Sequence, residues 1–228
     1  MLLALAYAAF VSLGLPDGVL GVAWPSVRGA FDVRLSALGV LSIGLGVGYV
    51  LSSFFAGRLV SRFGVGAVLW ASAGLAAAGL ALHAAAPGWA LFAAGAPIIG
   101  LGSGAVDAAL NVHVARAFSA RHVNWLHACY SIGAMLGPLL MAAAIQRAGS
   151  WRSGYAALGG LLLLLALLFL LTSPRWGTAV AVGAPGGAGA ALRDPKDVGG
   201  GPILGRRAHQ GSREDGQDAG KRADHGSS

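Results

Sequence analysis

Hydrophobic positions in this chain neither alternate with polar ones nor fall on a single helical stripe; they come in unbroken runs. Six runs stand out, at about residues 3–25, 36–56, 66–86, 89–114, 124–146 and 151–172. At about 1.5 Å per residue, runs of about 21 to 26 residues cross roughly 30 Å of hydrocarbon with some tilt. A membrane barrel needs period-two alternation, which these runs lack. The pattern therefore predicts an all-α membrane protein, a six-transmembrane-helix bundle over residues 1–172. Short connections between the runs make sequential helices antiparallel neighbours.

Composition sharpens this picture. Of the 228 residues, 56% are hydrophobic and only 11% charged, against roughly 25% charged in a soluble domain. Mean hydropathy is +0.68. Up to Thr172 the only acids are Asp17, Asp32 and Asp107, and the basic residues lie in the breaks between runs or, for Arg152, at the very start of one. The net charge of +7 thus marks membrane-flanking turns and the C-terminal tail. No stretch interleaves Arg or Lys with exposed aromatics as a nucleic-acid groove does, so the bilayer is an expected partner and nucleic acid is not. The single cysteine, Cys129, lies inside an apolar run and has no intrachain disulfide partner. Met1 leads into "LLALAYAAFVSLGL" without a basic stretch before it, so the first run reads as a span, not a cleaved signal.

From Ser173 the chemistry changes to Gly, Ala, Arg and Asp with almost no aromatics. Such a segment cannot bury enough apolar area to offset backbone ordering, so residues 173–228 are expected to form a disordered cytoplasmic tail. Inside the spans, glycines such as Gly100, Gly102, Gly104, Gly133 and Gly137 suit close helix approach, since packing drives association in lipid. The last run, "YAALGGLLLLLALLFLL", is nearly pure Leu and Ala and suits a lipid-facing position.

Charge in the short loops does not choose an orientation. Arg28, Arg34, Arg147 and Arg152 fall on one side, Arg58, Arg62, Arg116 and Arg121 on the other. Arg175 and Arg193 of the tail tip the balance towards both termini being cytoplasmic, in a multi-pass plasma (inner) membrane protein.

An Asp at the centre of a membrane helix costs ~2.5–3.5 kcal/mol, so intramembrane acids are functional candidates by default. Asp17 lies beside Pro16 and Gly18, where the helix is expected to kink. Asp107 is followed one turn later by Asn111, then by His113 and Arg116. The fifth run opens "NWLHACYS", which puts Asn124 and His127 on one face. A carboxyl that binds and releases a proton as its surroundings alternate is what proton coupling requires. The plainer alternative is that each Asp hydrogen-bonds a neighbouring helix and locks the bundle.

Two stretches carry a resemblance. "FFAGRLVSRFGVGAVL" resembles the loop signature of the major facilitator superfamily, Gly-x-Leu-x-Asp-Arg-x-Gly. Gly57, Leu59, Arg62 and Gly64 match, Arg58 lies among them, and Ser61 stands at the acidic position. "GLGSGAVDAALNVHV" followed by "NWLHACYSIGAMLGPLL" is similar to the fucose permease-like branch of proton-coupled sugar symporters. The resemblance implies that Asp17 and Asp107 line a cavity, one binding substrate and the other carrying the proton, with Asn111, Asn124 and His127 as polar contacts. It implies a small polar, sugar-like substrate coupled to protons, and a carrier built from two six-helix halves. A second six-helix half or a homodimer is then an expected partner; the alternative is a truncated, transport-inactive fragment or a non-transporting membrane subunit.

No enzyme is expected. Intramembrane serine proteases resemble one another in a Gly-x-Ser-x motif on helix four and a His on helix six. Here Leu101 stands two positions before Ser103, and the sixth run has no histidine to activate a nucleophile. No phosphate loop or metal-ligand spacing is present, so neither cofactor nor metal is expected.

Overall fold

The computed structural model describes residues 2–117 and 119–176, and these are helical throughout apart from short turns. The helices are α1 (Leu2–Gly14), α2 (Val19–Phe31), α3 (Ala37–Phe63), α4 (Val65–Ala85), α5 (Trp89–Ala117), α6 (Ala120–Ala148) and α7 (Trp151–Thr172). A 3-10 turn at Ser173–Trp176 closes the series. Together they make six stretches long and apolar enough to cross a membrane, with α1 and α2 forming the first, Leu2–Phe31.

The kink expected near Asp17 is a complete break. Pro16 has no N–H to give the ladder, and Gly18 takes φ 73°, a left-handed value open to glycine because it lacks a Cβ. The Asp17 N–H turns back to the Gly14 carbonyl at 3.0 Å, which closes α1. Pro25, placed near the end of the first run by the sequence, instead sits inside α2. The helix continues to Phe31 and ends where Asp32 turns left-handed at φ 49°.

The signature read as a loop is also helical. Gly57, Arg58 and Arg62 lie in the last turns of α3, and Gly64 alone, at φ 83°, links α3 to α4. Between Ala56 and Phe63 no proline interrupts the chain, so the helix runs on through the signature to Gly64. Similarly, α6 begins at Ala120, a turn before the expected start at Asn124.

Helix α1 packs on α6, α3 packs on α5, and α4 is held between α5 and α7. One apolar cluster gathers around Phe10, Leu69, Leu110, Leu126 and Phe169. A second gathers around Trp24, Leu41, Leu80, Phe92 and Met141. Helix α7 is peripheral on one side only: Leu163, Leu164 and Leu171 are exposed, while Leu158, Leu162, Leu165 and Phe169 are buried against the bundle.

The bundle extends four residues past the expected boundary at Thr172. Trp176 is buried against Phe169 and His113, with ring centroids 5.5 and 5.1 Å away. Its indole N–H donates to Thr172 Oγ1 at 3.0 Å. An aromatic ring buried there is worth more than chain entropy at a helix end, so the sequence boundary, drawn from local composition, fell short. The disorder expected for the rest of the tail concerns residues 177–228, outside the described residues. Trp176→Ala leaves a cavity beside Phe169 and is expected to destabilise the bundle by about 3 kcal/mol, seen as a lower unfolding temperature in mild detergent. An unchanged temperature would show that the turn adds nothing to the fold.

Candidate functional site

The α1–α6 and α3–α5 pairs form two walls, and in each wall a close helix approach sets up a carboxylate. A Cβ at Gly14 of α1 would strike the Tyr130 carbonyl of α6, so bare backbone is what lets these helices meet. The meeting brings the Tyr130 phenol against Asp17 just beyond the end of α1, and its O–H donates to Asp17 Oδ2. In the other wall, a Cβ at Gly104 of α5 would strike the Tyr49 carbonyl of α3. Ser53 Oγ donates to the Gly104 carbonyl at 3.1 Å, and the Tyr49 O–H donates to Asp107 Oδ2 at 2.6 Å. Asn111 completes the set: its Nδ2 donates to Asp107 Oδ1 at 2.9 Å and to the Asp107 carbonyl at 3.1 Å.

Between the walls lies a cleft of about 430 Å³. Asp17, His127 and Tyr130 line it from one side, and Tyr49, Ser103 and Asp107 from the other. Phe10, Leu45 and Ile99 supply apolar surface between these polar groups. Among the described residues no Arg or Lys lines the cleft, so neither carboxylate has a fixed cation facing it there. Asp17 is exposed, and Val50 on the cleft wall is 66% exposed, so the cleft opens outward. Phe54 of α3 and Leu139 of α6 are among the most exposed apolar residues.

Of the residues singled out from the sequence, Asp17, Asp107 and His127 come together in one cleft. Asn111 bonds Asp107 and is not part of the lining; Asn124, exposed one turn before His127, stays outside it. His113 packs on Trp176, away from the cleft. Gly57, Arg58, Arg62 and Gly64 gather at the far end of α3. Sequence reasoning passed over Tyr49 and Tyr130, and weighed Ser103 only as a nucleophile. Tyr130 carried a signal, standing three residues after His127 on the same helical face. Tyr49 carried a weaker one, a lone phenol in the glycine-rich run "LGLGVGYVLSS".

The arrangement bonds each acid to a neighbouring helix, as the plainer reading of these residues required, and also leaves both acids facing a cavity. The two readings are therefore compatible: the tyrosines hold the carboxylates in place without covering them.

The profile of the Major Facilitator Superfamily matches residues 6–204. Over 136 residues the chain is 32% identical to sodium-dependent glucose transporter 1 of Rattus norvegicus, covering 58% of this chain and 28% of that protein. Over 137 residues it is 28% identical to sodium-dependent glucose transporter 1A of Mus musculus, covering 59% of this chain and 32% of that protein. The matched stretch thus spans about a third or less of either relative.

Proposed function

The chain belongs to the major facilitator superfamily, an integral multi-pass membrane protein of a transporter family, and from this we propose that it forms one wall of a proton-coupled carrier for a sugar-like solute. The single observation that carries the reading is the cleft in which two carboxylates, each held by a tyrosine from the next helix, face one space. Its volume of about 430 Å³ is within the range of small-molecule sites. Carboxylate, phenol, hydroxyl and imidazole groups suit a ligand rich in hydroxyls, while Phe10 and Ile99 suit the C–H face of a sugar ring. A broken helix at the site also fits, because transporters bind their solutes where membrane helices are interrupted.

The two acids divide the work by their surroundings. Tyr130 occupies one oxygen of Asp17, leaving the other to accept a solute hydroxyl. Asp107 has both oxygens engaged by neutral donors, a setting that fixes the orientation of the carboxyl at the cleft wall. In this reading Asp107 carries the proton and Asp17 binds the solute. The open side of the cleft cannot face hydrocarbon, since each acid at mid-membrane costs ~2.5–3.5 kcal/mol. A second six-helix unit covers it in this reading, with both termini on the cytoplasmic side of the plasma membrane.

A second reading, sodium coupling, is favoured by the names of the two relatives. Uptake measurements separate the two. The chain is fused to the part of the rat transporter that follows the matched stretch, and labelled glucose and fucose are offered to proteoliposomes. Proton coupling predicts accumulation driven by an inward pH gradient without sodium. Accumulation that needs sodium and ignores the pH gradient would replace the coupling ion. A chimera that folds in the membrane yet takes up neither sugar under either gradient would overturn the reading. The unfused chain is expected to show no uptake above empty vesicles; robust uptake would show that two copies complete the carrier.

A further inference from the structure

The two arginines at the end of α3 are not absorbed by the transport reading. Helix α3 has 27 residues, about 40 Å at 1.5 Å per residue, which exceeds roughly 30 Å of hydrocarbon. Its last turns therefore reach headgroup depth. There α3 turns into α4 through Gly64 alone, and a groove of about 310 Å³ lies between the two helices. Leu59 and Phe63 line it from α3, and Val68, Trp70 and Ala71 from α4. Phe63 is 58% exposed, and Leu59 and Trp70 are also exposed, so the groove lies on the outer surface. It shares no residue with the carboxylate cleft.

Arg62 borders this groove through Phe63, and Arg58 lies one turn earlier on the same face of α3. The Arg62 guanidinium sits over the Phe63 ring at 5.4 Å, and Arg58 sits over Phe55 at 5.7 Å. Both are exposed. The acids among the described residues are Asp17 and Asp107, in the cleft, and Asp32, beyond the opposite end of α3. Among the described residues, two guanidiniums thus stand at this end of α3 with no carboxylate near them, beside an apolar slot lined by large side chains.

The geometry points to a binding site for one anionic phospholipid. An acyl chain lies in the slot against Leu59, Phe63 and Trp70, and the phosphate is held by Arg62 and Arg58. Charge selects this occupant: a guanidinium pairs with phosphate oxygens through two parallel N–H bonds, and basic groups at this depth attract anionic lipid. A neutral lipid chain or an apolar helix would fill the slot but leave both cations without an anion. The site does not depend on the transport reading, only on α3 spanning the bilayer.

Native mass spectrometry of the full chain in mild detergent tests this, with phosphatidylglycerol or phosphatidylcholine added in equal amounts. The expected result is one retained phosphatidylglycerol per chain and retention of phosphatidylcholine weaker by about 10-fold. R58Q/R62Q should abolish the preference. Ala71→Trp, which fills the slot and keeps both cations, should remove the lipid as well. R28Q/R34Q, at the other end of the bundle, should change nothing. Equal retention of the two lipids, or phosphatidylglycerol retained by R58Q/R62Q, would overturn the proposal. Displacement by glycerol phosphate as readily as by whole lipid would also overturn it, since a bare headgroup site does not use the slot.

Discussion

Asp107→Asn is expected to abolish accumulation of solute by the assembled carrier while leaving downhill exchange in place. The amide matches the carboxyl in shape but cannot take up or release a proton. With no coupling free energy between proton and solute, the accumulation ratio should fall to about one. The hydrogen bonds foresee a modest structural cost as well. Tyr49 can still donate to the amide oxygen, but the amide nitrogen then faces the Asn111 nitrogen, donor against donor, while Asn111 keeps its bond to the residue-107 carbonyl. Losing one such bond costs about 1 kcal/mol, too little to unfold the bundle. Tyr49→Phe is the control, since it removes a bond from Asp107 and keeps the titratable group. Counterflow and pH-driven uptake, measured on the same proteoliposomes, separate the two effects. Full accumulation by Asp107→Asn would assign Asp107 to packing alone.

Gly104→Val should disrupt fold and site together. Its Cβ would meet the Tyr49 carbonyl and sit 2.8 Å from Ser53 Oγ, and backbone cannot move aside as a flexible side chain can. Over-packing usually costs about 1–3 kcal/mol and occasionally more; a contact between two helix backbones belongs at the upper end. Prising α3 from α5 also draws Tyr49 away from Asp107 and breaks the Ser53 bond to Gly104. The expected outcome is a marked loss of thermal stability in detergent. Gly46→Val is the informative contrast. Gly46 lines the cleft and a Cβ there meets nothing within 4 Å, so this variant should fold normally and lose solute uptake. Equal melting temperatures for the two variants would remove the case that Gly104 holds the α3–α5 wall together.

These two glycines show where sequence reading reaches its limit. Both stand in apolar runs and look alike along the chain, yet one is a helix contact and the other faces open space. The difference depends on which helix lies opposite, and local composition does not carry that information.

What was legible in the residues alone is what short-range physics dictates. Run length against bilayer thickness was enough for six spans, and the scarcity of acids in them marked Asp17 and Asp107 for scrutiny. Pro16 and Gly18 announced an interruption beside Asp17, because a missing N–H and a missing Cβ act within one turn. The superfamily was legible too, from stretches that the matching profile covers. Boundaries were less so: α3 carries the signature to Phe63 and Trp176 holds the chain to the bundle, since tertiary burial outweighs local composition at helix ends. The tyrosines were the larger omission. Tyr49 meets Asp107 across 58 residues of chain and Tyr130 meets Asp17 across 113. Such pairings exist only once α3 has packed on α5 and α1 on α6, and that choice rests on the fit of small residues between helices, a property of two surfaces that neither segment displays alone.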